Sequence, residues 1–429
     1  MRALVAACVA VLALASCGPS TAEAEPFEGQ WRSIGFGGYI TISQGAVEVY
    51  EYGDDHCVRV AESGSRGIAE VLTLEGDDEL ILREAGRIVR YERSDLPDGC
   101  VIPEEFYDDD APSSLGIVVE AMEDHYAGSL DDGWAARAAV LGDGLTAGSP
   151  PSEAFEAITA LLDPLDDPQV RLSVQEPQQG VPEGVWRSAA APVADRLAAA
   201  ALAGEHLLSV EGTEGDGAMV AGLAADGVGY LAVTTLEPFA GGVARTGEAM
   251  ARVVDGLIES SGPETRLVLD LRANDGGVEG LGMILASRFV QEETLVASRR
   301  ARVGGTDDFV DAGSIVVRPA PTGVFPGELA VLVGPGTSGA AELLVLALRQ
   351  VPGVTFVGEP TAGSPSPILA RALPVGWSLG LPNQRTEDAS GTSFDGIGVP
   401  PDVSAPTTLA DLEAGVDPGL EAAVEAVAD

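Results

Sequence analysis

The residues of this chain whose types could do chemistry cluster at two glycine-rich turns. One turn is Asn274 to Gly277, and the other is Gly334 to Ala340, which contains the hydroxyl of Ser338. Glycine lets backbone N–H groups approach a ligand closely, and two such groups facing one carbonyl oxygen stabilise the negative charge that develops in acyl transfer. The candidate donors belong to Gly276, Gly277 and Ala340. The two turns therefore contain the residue types from which an oxyanion-binding site can be built.

A serine nucleophile needs a base, and the usual bases are scarce in this chain. All 24 basic residues are arginine, so a Ser/Lys dyad is impossible anywhere in the protein. The three histidines, His56, His125 and His206, are too scattered for a recognisable metal motif. We predict neither a metal nor a cofactor.

The elements that would position these turns are strands and helices that alternate along the sequence in β-α-β order. Strands are predicted at 229–233, 267–271, 329–333 and 354–357, with helices at 250–258, 278–289 and 340–349. The run 267–271 is almost continuously apolar, as strands of a doubly covered parallel sheet are. Both glycine-rich turns fall at the carboxyl ends of such strands, where ligands of open α/β sheets bind.

The rest of the chain predicts two further regions and a fold class. Residues 27–103 alternate short β-rich runs with acidic or glycine turns, which predicts a small antiparallel β domain. Residues 113–175 have helical periodicity, and 190–204, inside the core domain at 176–429, are also expected to be helical. The predicted fold is α/β: a parallel-sheet core, a helical subdomain and an N-terminal antiparallel β domain.

The first residues have the pattern of an export signal. Arg2 precedes an apolar run, Ala3 to Leu14, that is too short to span a bilayer. It ends at a lipobox whose cysteine is Cys17, so we expect cleavage before Cys17, lipidation of that residue and a tether at 18–26. Segment 1–17 could also be an ordinary secretory signal. Either way, the protein is expected to be exported, and with lipidation it is held at a membrane.

The remaining cysteines are expected to form a disulfide. If Cys8 is removed with the signal and Cys17 is lipidated, only Cys57 and Cys100 are left. Two cysteines in an exported chain most often pair. We therefore predict a Cys57–Cys100 bridge that staples the N-terminal β domain.

Several motifs resemble those of the tail-specific (C-terminal processing) serine peptidases. They are DLRANDGG from Asp270, LAVLVGPGTSGAAE from Leu329, GEPTAGS from Gly358 and DGIGVPPD from Asp395. The resemblance covers about residues 113–429 and points to a tricorn-like subgroup without a PDZ domain. It implies a nucleophile at position 339 and a base lysine at position 364, where this chain has Gly339 and Ser364. The histidine that tricorn-like members use as base corresponds to Gln169.

These substitutions favour a non-hydrolytic member of the family that binds peptides or protein segments where active members have their active-site cleft. One alternative is an active serine-type peptidase with Ser338 as a displaced nucleophile. Another is a carrier of small apolar ligands. The net charge of −43 argues against nucleic acid and against anionic lipid surfaces, so the only membrane contact expected is the lipid anchor.

Overall fold

The computed structural model describes residues 21–427, except 54–55, 85, 103–105, 107–110, 179, 189–208, 260–261 and 263. The predicted signal segment with Cys17, the start of the tether and the predicted helix at 190–204 lie outside the described residues. The chain divides into two compact units. The first comprises Met1–Ala190, Arg299–Gly313 and Ser366–Arg385, and the second comprises Ala191–Ser298, Ser314–Pro365 and Thr386–Asp429.

The first unit contains an antiparallel sheet built from the N-terminal part of the chain. Its strands are β1 (Gly29–Ser33), β2 (Gly38–Ser43), β3 (Ala46–Tyr52), β4 (Cys57–Gly64), β5 (Leu72–Glu75), β6 (Glu79–Glu84) and β7 (Arg87–Arg93). They pair in the order β7-β1-β2-β3-β4, and β6 joins β5 to β7. Every second residue of β3 is buried, as the period of a half-buried strand requires. The predicted N-terminal antiparallel β region is confirmed.

Helices and a second sheet complete the first unit. Its helices are α1 (Thr21–Ala24), α2 (Ile68–Val71), α3 (Ala111–His125), α4 (Trp134–Asp143) and α5 (Pro151–Leu162). A four-stranded antiparallel sheet has the spatial order Ile368–Ala372, Trp377–Pro382, Arg171–Val174 and Gly184–Arg187, which we number β18, β19, β8 and β9. Helices α3 and α5 share one apolar core with this sheet through Met122, Ile158 and Leu379.

The second unit is organised around a seven-stranded sheet. Its spatial order is β10 (Ser209–Glu214), β11 (Met219–Leu223), β12 (Gly229–Val233), β13 (Arg266–Asp270), β16 (Glu328–Val333), β17 (Thr355–Gly358) and β21 (Val403–Ser404). The pairs from β12 to β21 are parallel, and β10, β11 and β12 pair antiparallel. Three strands have residues in both units: β14 (Thr294–Arg302), β15 (Phe309–Val317) and β20 (Gln384–Asp388).

Both faces of the seven-stranded sheet are covered. The helices are α6 (Val243–Glu259), α7 (Glu279–Ala286), α8 (Ala340–Leu348), α9 (Leu409–Glu413) and α10 (Pro418–Ala426). Leu267 and Leu269 of β13 belong to the apolar core that contains α8, whereas Val268 belongs to a separate core that contains α10. Adjacent residues of one strand therefore enter different cores. This burial confirms the predicted doubly covered parallel sheet.

No helix in the described residues is both long enough and apolar enough to cross a bilayer. The described residues also contain no group of three or more histidine, cysteine, aspartate or glutamate side chains that could hold a metal ion.

The predicted disulfide is present between Cys57, the first residue of β4, and Cys100. Next to it, the Val101 N–H donates to the Cys57 carbonyl at 2.9 Å, and the Arg59 N–H donates to the Val101 carbonyl at 3.0 Å. The bridge and these hydrogen bonds hold the segment after β7 against β4.

Replacing both cysteines, Cys57→Ser with Cys100→Ser, should lower the free energy of unfolding of the first unit by about 4 kcal/mol, because the bridge closes a long loop. The two cysteines are separated by 43 residues in sequence. All four tryptophans lie in the first unit, so tryptophan fluorescence in urea follows its unfolding specifically. The wild-type chain with a reductant should behave like the double variant. An unchanged midpoint would show that the bridge contributes no stability.

Candidate active site

The turn between β16 and α8 is anchored on the turn that follows β13. The Thr337 hydroxyl donates to the Leu271 carbonyl at 2.8 Å and accepts from the Gly334 N–H at 3.1 Å. The Ser338 N–H donates to the Asn274 carbonyl at 3.0 Å. The two glycine-rich turns are therefore joined by hydrogen bonds, as their shared position at the carboxyl end of the sheet predicts.

Gly339 lies where the chain changes from turn to helix, with φ 58° and ψ −120°. A sharp strand-turn-helix geometry of this kind raises a nucleophilic side chain above a sheet. A Cβ atom at this position would have its nearest neighbours, the Asp275 carbonyl oxygen and the Gly276 Cα, at 4.0 Å. A side chain has room here, and its cost is backbone strain of about 1–3 kcal/mol. The backbone at Gly339 therefore has the geometry of an elbow, and this residue has no side chain.

Asn274 and Gly276 shape the other turn. The buried Asn274 side chain donates from Nδ2 to the Val233 carbonyl at 2.9 Å and accepts the Gly276 N–H at 3.0 Å. The Gly276 N–H is thus engaged within the turn. A Cβ at Gly276 would lie 2.7 Å from the Ser338 carbonyl oxygen and 3.1 Å from the Ala340 nitrogen. Gly276 therefore allows the two turns to approach each other closely.

The N–H groups of Gly277 and Ala340 remain the predicted oxyanion donors. Within the described part of the chain, no acceptor is hydrogen-bonded to either group. A Cβ at Gly277 would collide with the backbone of Leu236, which fixes glycine at this position. Ala340 is the first residue of α8, where the helix dipole favours negative charge.

A buried ionic network braces the turn after β13. The Arg272 guanidinium contacts Asp270 at 2.6 Å and Asp417 at 2.8 Å. Asp270 also accepts the Tyr230 hydroxyl at 2.8 Å, and Asp417 caps α10 by accepting the Leu420 N–H at 3.0 Å. Asp270 and Arg272 therefore brace this turn, and they connect it to the last helix.

Glu342 is fully buried and forms the centre of the site. Its carboxylate accepts hydrogen bonds from the Gly339 N–H (3.1 Å), the Thr361 hydroxyl (2.6 Å), the Gly363 N–H (2.8 Å), and both the N–H (2.7 Å) and the hydroxyl (3.1 Å) of Ser364. Burial raises the pKa of Glu342 to about 7, although the hydrogen bonds from Thr361, Ser364 and Gly363 act to lower it. Glu342 appeared in the sequence only as the last letter of a motif. The sequence feature that could have identified it is a single acidic residue within an otherwise apolar helix.

Ser364, the residue at the predicted lysine position, contacts the neighbour of the elbow. The Oγ atoms of Ser338 and Ser364 are 3.0 Å apart. Ser338 is half-buried, and Ser364 is buried. The structure thus brings Ser338, Gly339 and Ser364 together around Glu342.

Gln169, which the resemblance placed at the position of a base histidine, belongs to the first unit and not to the second, which contains Gly339 and Ser364. It is buried in the turn before β8, where its N–H donates to an Asp167 carboxylate oxygen at 2.8 Å. His56 and His125 also belong to the first unit, and His206 lies outside the described residues.

Comparisons with known proteins agree with this geometry. Residues 227–405 match the model of Peptidase family S41. The chain is 30% identical over 183 residues to the chloroplastic carboxyl-terminal-processing peptidase 2 of Arabidopsis thaliana, covering 42% of this chain and 32% of that protein. It is 28% identical over 167 residues to a carboxy-terminal-processing protease of Bartonella bacilliformis, covering 37% of this chain and 36% of that protein. The chain spans about a third of the length of these relatives.

Solved structures show the same fold. A candidate peptidase from Parabacteroides merdae superposes with a TM-score of 0.59 at 19% identity, covering 75% of this chain and 98% of that one. Mature CPAF in complex with lactacystin superposes with a TM-score of 0.53 at 12% identity, covering 75% of this chain and 97% of that one.

The pKa of Glu342 makes a prediction about stability. The ordinary value is 4.5 and the folded value is about 7, so the folded chain holds a proton that the unfolded chain loses between these pH values. This contribution is fully present below pH 4.5 and is lost as the pH rises through about 7. Its size is on the order of 3 kcal/mol, from about 1.4 kcal/mol per pKa unit.

Glu342→Gln, which cannot ionise, should remove that loss. Hydrogen exchange of the α8 amides at pH 5 and pH 8, corrected for intrinsic rates, measures the effect as a difference between wild type and variant. If the wild type and Glu342→Gln lose the same protection between the two pH values, the folded carboxyl does not titrate near pH 7.

Proposed function

We infer the function of this chain from the Peptidase family S41 domain that it carries at residues 227–405. The protein is a peptide-binding member of that family that does not hydrolyse peptides through the family's serine and its base. The observation that carries the proposal is the glycine at the elbow. Gly339 has the φ and ψ of a nucleophile turn and no side chain that could attack.

The missing base supports the same conclusion. Ser364 lies at the lysine position, and no lysine exists elsewhere in the chain to replace it. The glutamine at position 169 cannot exchange a proton near neutral pH in the way a histidine does. Both the nucleophile and the base of the family are therefore replaced.

Two backbone N–H groups near the elbow can bind a ligand. The N–H groups of Gly277 and Ala340 suit an acceptor with negative charge, such as the carboxylate at the end of a peptide. The names of the two curated relatives, which describe carboxyl-terminal processing, support the same ligand class. The net charge of −43 would attract basic peptides over long range. We therefore propose basic segments with a free C-terminus as ligands.

The location of the protein is part of the proposal. The lipobox that ends at Cys17 supports an exported lipoprotein, anchored in the membrane of the cell envelope through its acylated N-terminus. In this arrangement, the site would bind the C-termini of peptides or proteins at the cell envelope.

Binding and hydrolysis can be measured on the same sample. The full chain in mild detergent is titrated with a labelled, arginine-rich peptide that ends in a free carboxylate and with its C-terminal amide. The free acid should bind about tenfold more tightly, because hydrogen bonds to charged groups are the stronger ones. Mass spectrometry after incubation should find both peptides intact.

Ala340→Pro supplies the matched variant. Proline is tolerated at the first position of a helix, and it removes only the N–H that is proposed to bind. The variant should bind the acid and the amide equally. Equal affinity of the wild type for the two peptides, or cleavage of either one, would contradict the proposal.

Restoring the family residues tests the explanation for the missing activity. Gly339→Ser alone should leave these peptides uncut, because no atom of Ser364 lies within 4 Å of the Cβ position and the Ser364 hydroxyl is engaged by Ser338. Gly339→Ser with Ser364→Lys should give weak hydrolysis, since the amine supplies a base. Gly339→Ala with Ser364→Lys is the control, because it carries similar backbone strain without a hydroxyl. Clear cleavage by the single variant would show that a base is already present for position 339.

A further inference from the structure

A chain of hydrogen bonds runs from a half-exposed serine to a buried carboxylate beside the elbow. The Ser338 Oγ is 3.0 Å from the Ser364 Oγ, and the Ser364 Oγ donates to Glu342 Oε2 at 3.1 Å. The proposed peptide binding uses none of these three side chains. A hydroxyl connected to a carboxylate in this way is the arrangement from which a proton can be withdrawn.

The donors determine the direction in which a proton can move along these hydrogen bonds. A serine hydroxyl has one proton, and when Glu342 is ionised the proton of Ser364 is given to its carboxylate. In that state, Ser338 is the donor in the pair of serines, with its proton directed towards Ser364. Deprotonation of Ser338 along this path needs no change in the positions of the three side chains.

We propose that Ser338 is a reactive nucleophile that takes an acyl or phosphonyl group from activated esters, with Ser364 as proton relay and Glu342 as base. The Ser338 Oγ forms a bond to the carbonyl carbon while its proton passes to Ser364 and the Ser364 proton passes to Glu342. Collapse breaks the bond to the leaving oxygen, which departs as a phenolate with its electron pair. The products are the Ser338 ester, the phenolate and protonated Glu342. With a fluorophosphonate, the P–F bond breaks and fluoride leaves.

The surroundings of Glu342 suit a base that works near neutral pH. Burial raises its pKa to about 7, and a base is most effective when its pKa lies near the working pH. In the described part of the chain, every hydrogen-bond donor to the carboxylate is a hydroxyl or a backbone N–H, from the elbow or from 361–364, and no arginine or histidine is among the causes of the pKa shift.

The same geometry limits the reaction to activated substrates. The N–H groups of Gly277 and Ala340 flank the elbow, and a nucleophile one residue earlier lies away from that position. A misplacement of about 1 Å can cost about 100-fold in rate. A phenolate or fluoride leaves readily without strong stabilisation of the intermediate, whereas a peptide amine does not. This reactivity is therefore compatible with a cleft that leaves peptides intact.

A fluorophosphonate probe on the full chain tests the proposal. One equivalent of label is expected, located at Ser338 by peptide mass spectrometry and absent in Ser338→Ala. Ser390→Ala is the matched control. The Ser390 hydroxyl also donates to a carboxylate, Asp388 at 2.7 Å, and that serine is exposed. Partial burial raises the pKa of Asp388 and its hydrogen bonds lower it, with a net downward shift, so this carboxylate is a weaker base. The Ser390→Ala variant should label like the wild type.

The pH profile separates a relay from a merely structural contact. The labelling rate of the wild type should rise to a plateau with an inflection near pH 7, where Glu342 ionises. Ser364→Ala and Glu342→Gln should label about 100-fold more slowly than the wild type, because general-base catalysis contributes at least about that factor to a rate. Both variants should also lose the inflection in the pH profile. Ser364→Thr keeps a hydroxyl and should restore most of the rate. Circular dichroism confirms that each variant is folded.

Three results would overturn the proposal: no label on the wild-type chain, label at another residue, or an unchanged rate and pH profile in Ser364→Ala. Peptide affinity is measured in parallel on Ser338→Ala, which should bind peptides like the wild type. On the wild-type chain, peptide binding without labelling contradicts the reactive serine and leaves the proposed peptide binding standing, whereas labelling without peptide binding does the reverse.

Discussion

The buried carboxylate of Glu342 is the interaction on which the site depends. Five hydrogen bonds from the elbow and from residues 361–364 end on its two oxygens, so two segments that are distant in sequence are held at one point of α8. A buried charge is costly, so burial raises the pKa of Glu342 to about 7, and the dense set of donors offsets part of that cost. If the carboxylate were replaced by an apolar group, the donors of Gly339, Thr361 and Ser364 would lose their partner.

The parallel sheet supplies the geometry that Glu342 completes. β13 and β16 are adjacent, so the turns at their carboxyl ends meet, and the glycines allow backbones to approach where a Cβ would collide. Arg272 then ties the first turn to α10 through Asp417. Because buried ion pairs cost desolvation, the contribution of this network is better understood as fixing the position of the turn than as raising stability.

The sequence predicted the elements and the positions of the turns, because these follow from local patterns. The apolar run at 267–271 and the helical spacing at 250–258 carry that information within a few residues of themselves. The contact between Ser338 and Ser364 joins residues 26 apart, and no local pattern specifies it. The engagement of the Gly276 N–H by Asn274 and the raised pKa of Glu342 depend likewise on burial and on neighbours that only the folded chain brings together.

The two proposals assign the attacking hydroxyl and the binding N–H groups to different residues. The proposed N–H groups belong to Gly277 and Ala340, position 339 has no hydroxyl, and the proposed proton route begins at Ser338. Catalysis requires the attacking atom and the stabilising N–H groups to act on the same carbonyl, so a separation of one residue removes most of the rate enhancement. Binding has no such requirement, because the N–H groups can hold a carboxylate wherever the nearest hydroxyl lies. Under the two proposals, this site can therefore bind the end of a peptide without hydrolysing it.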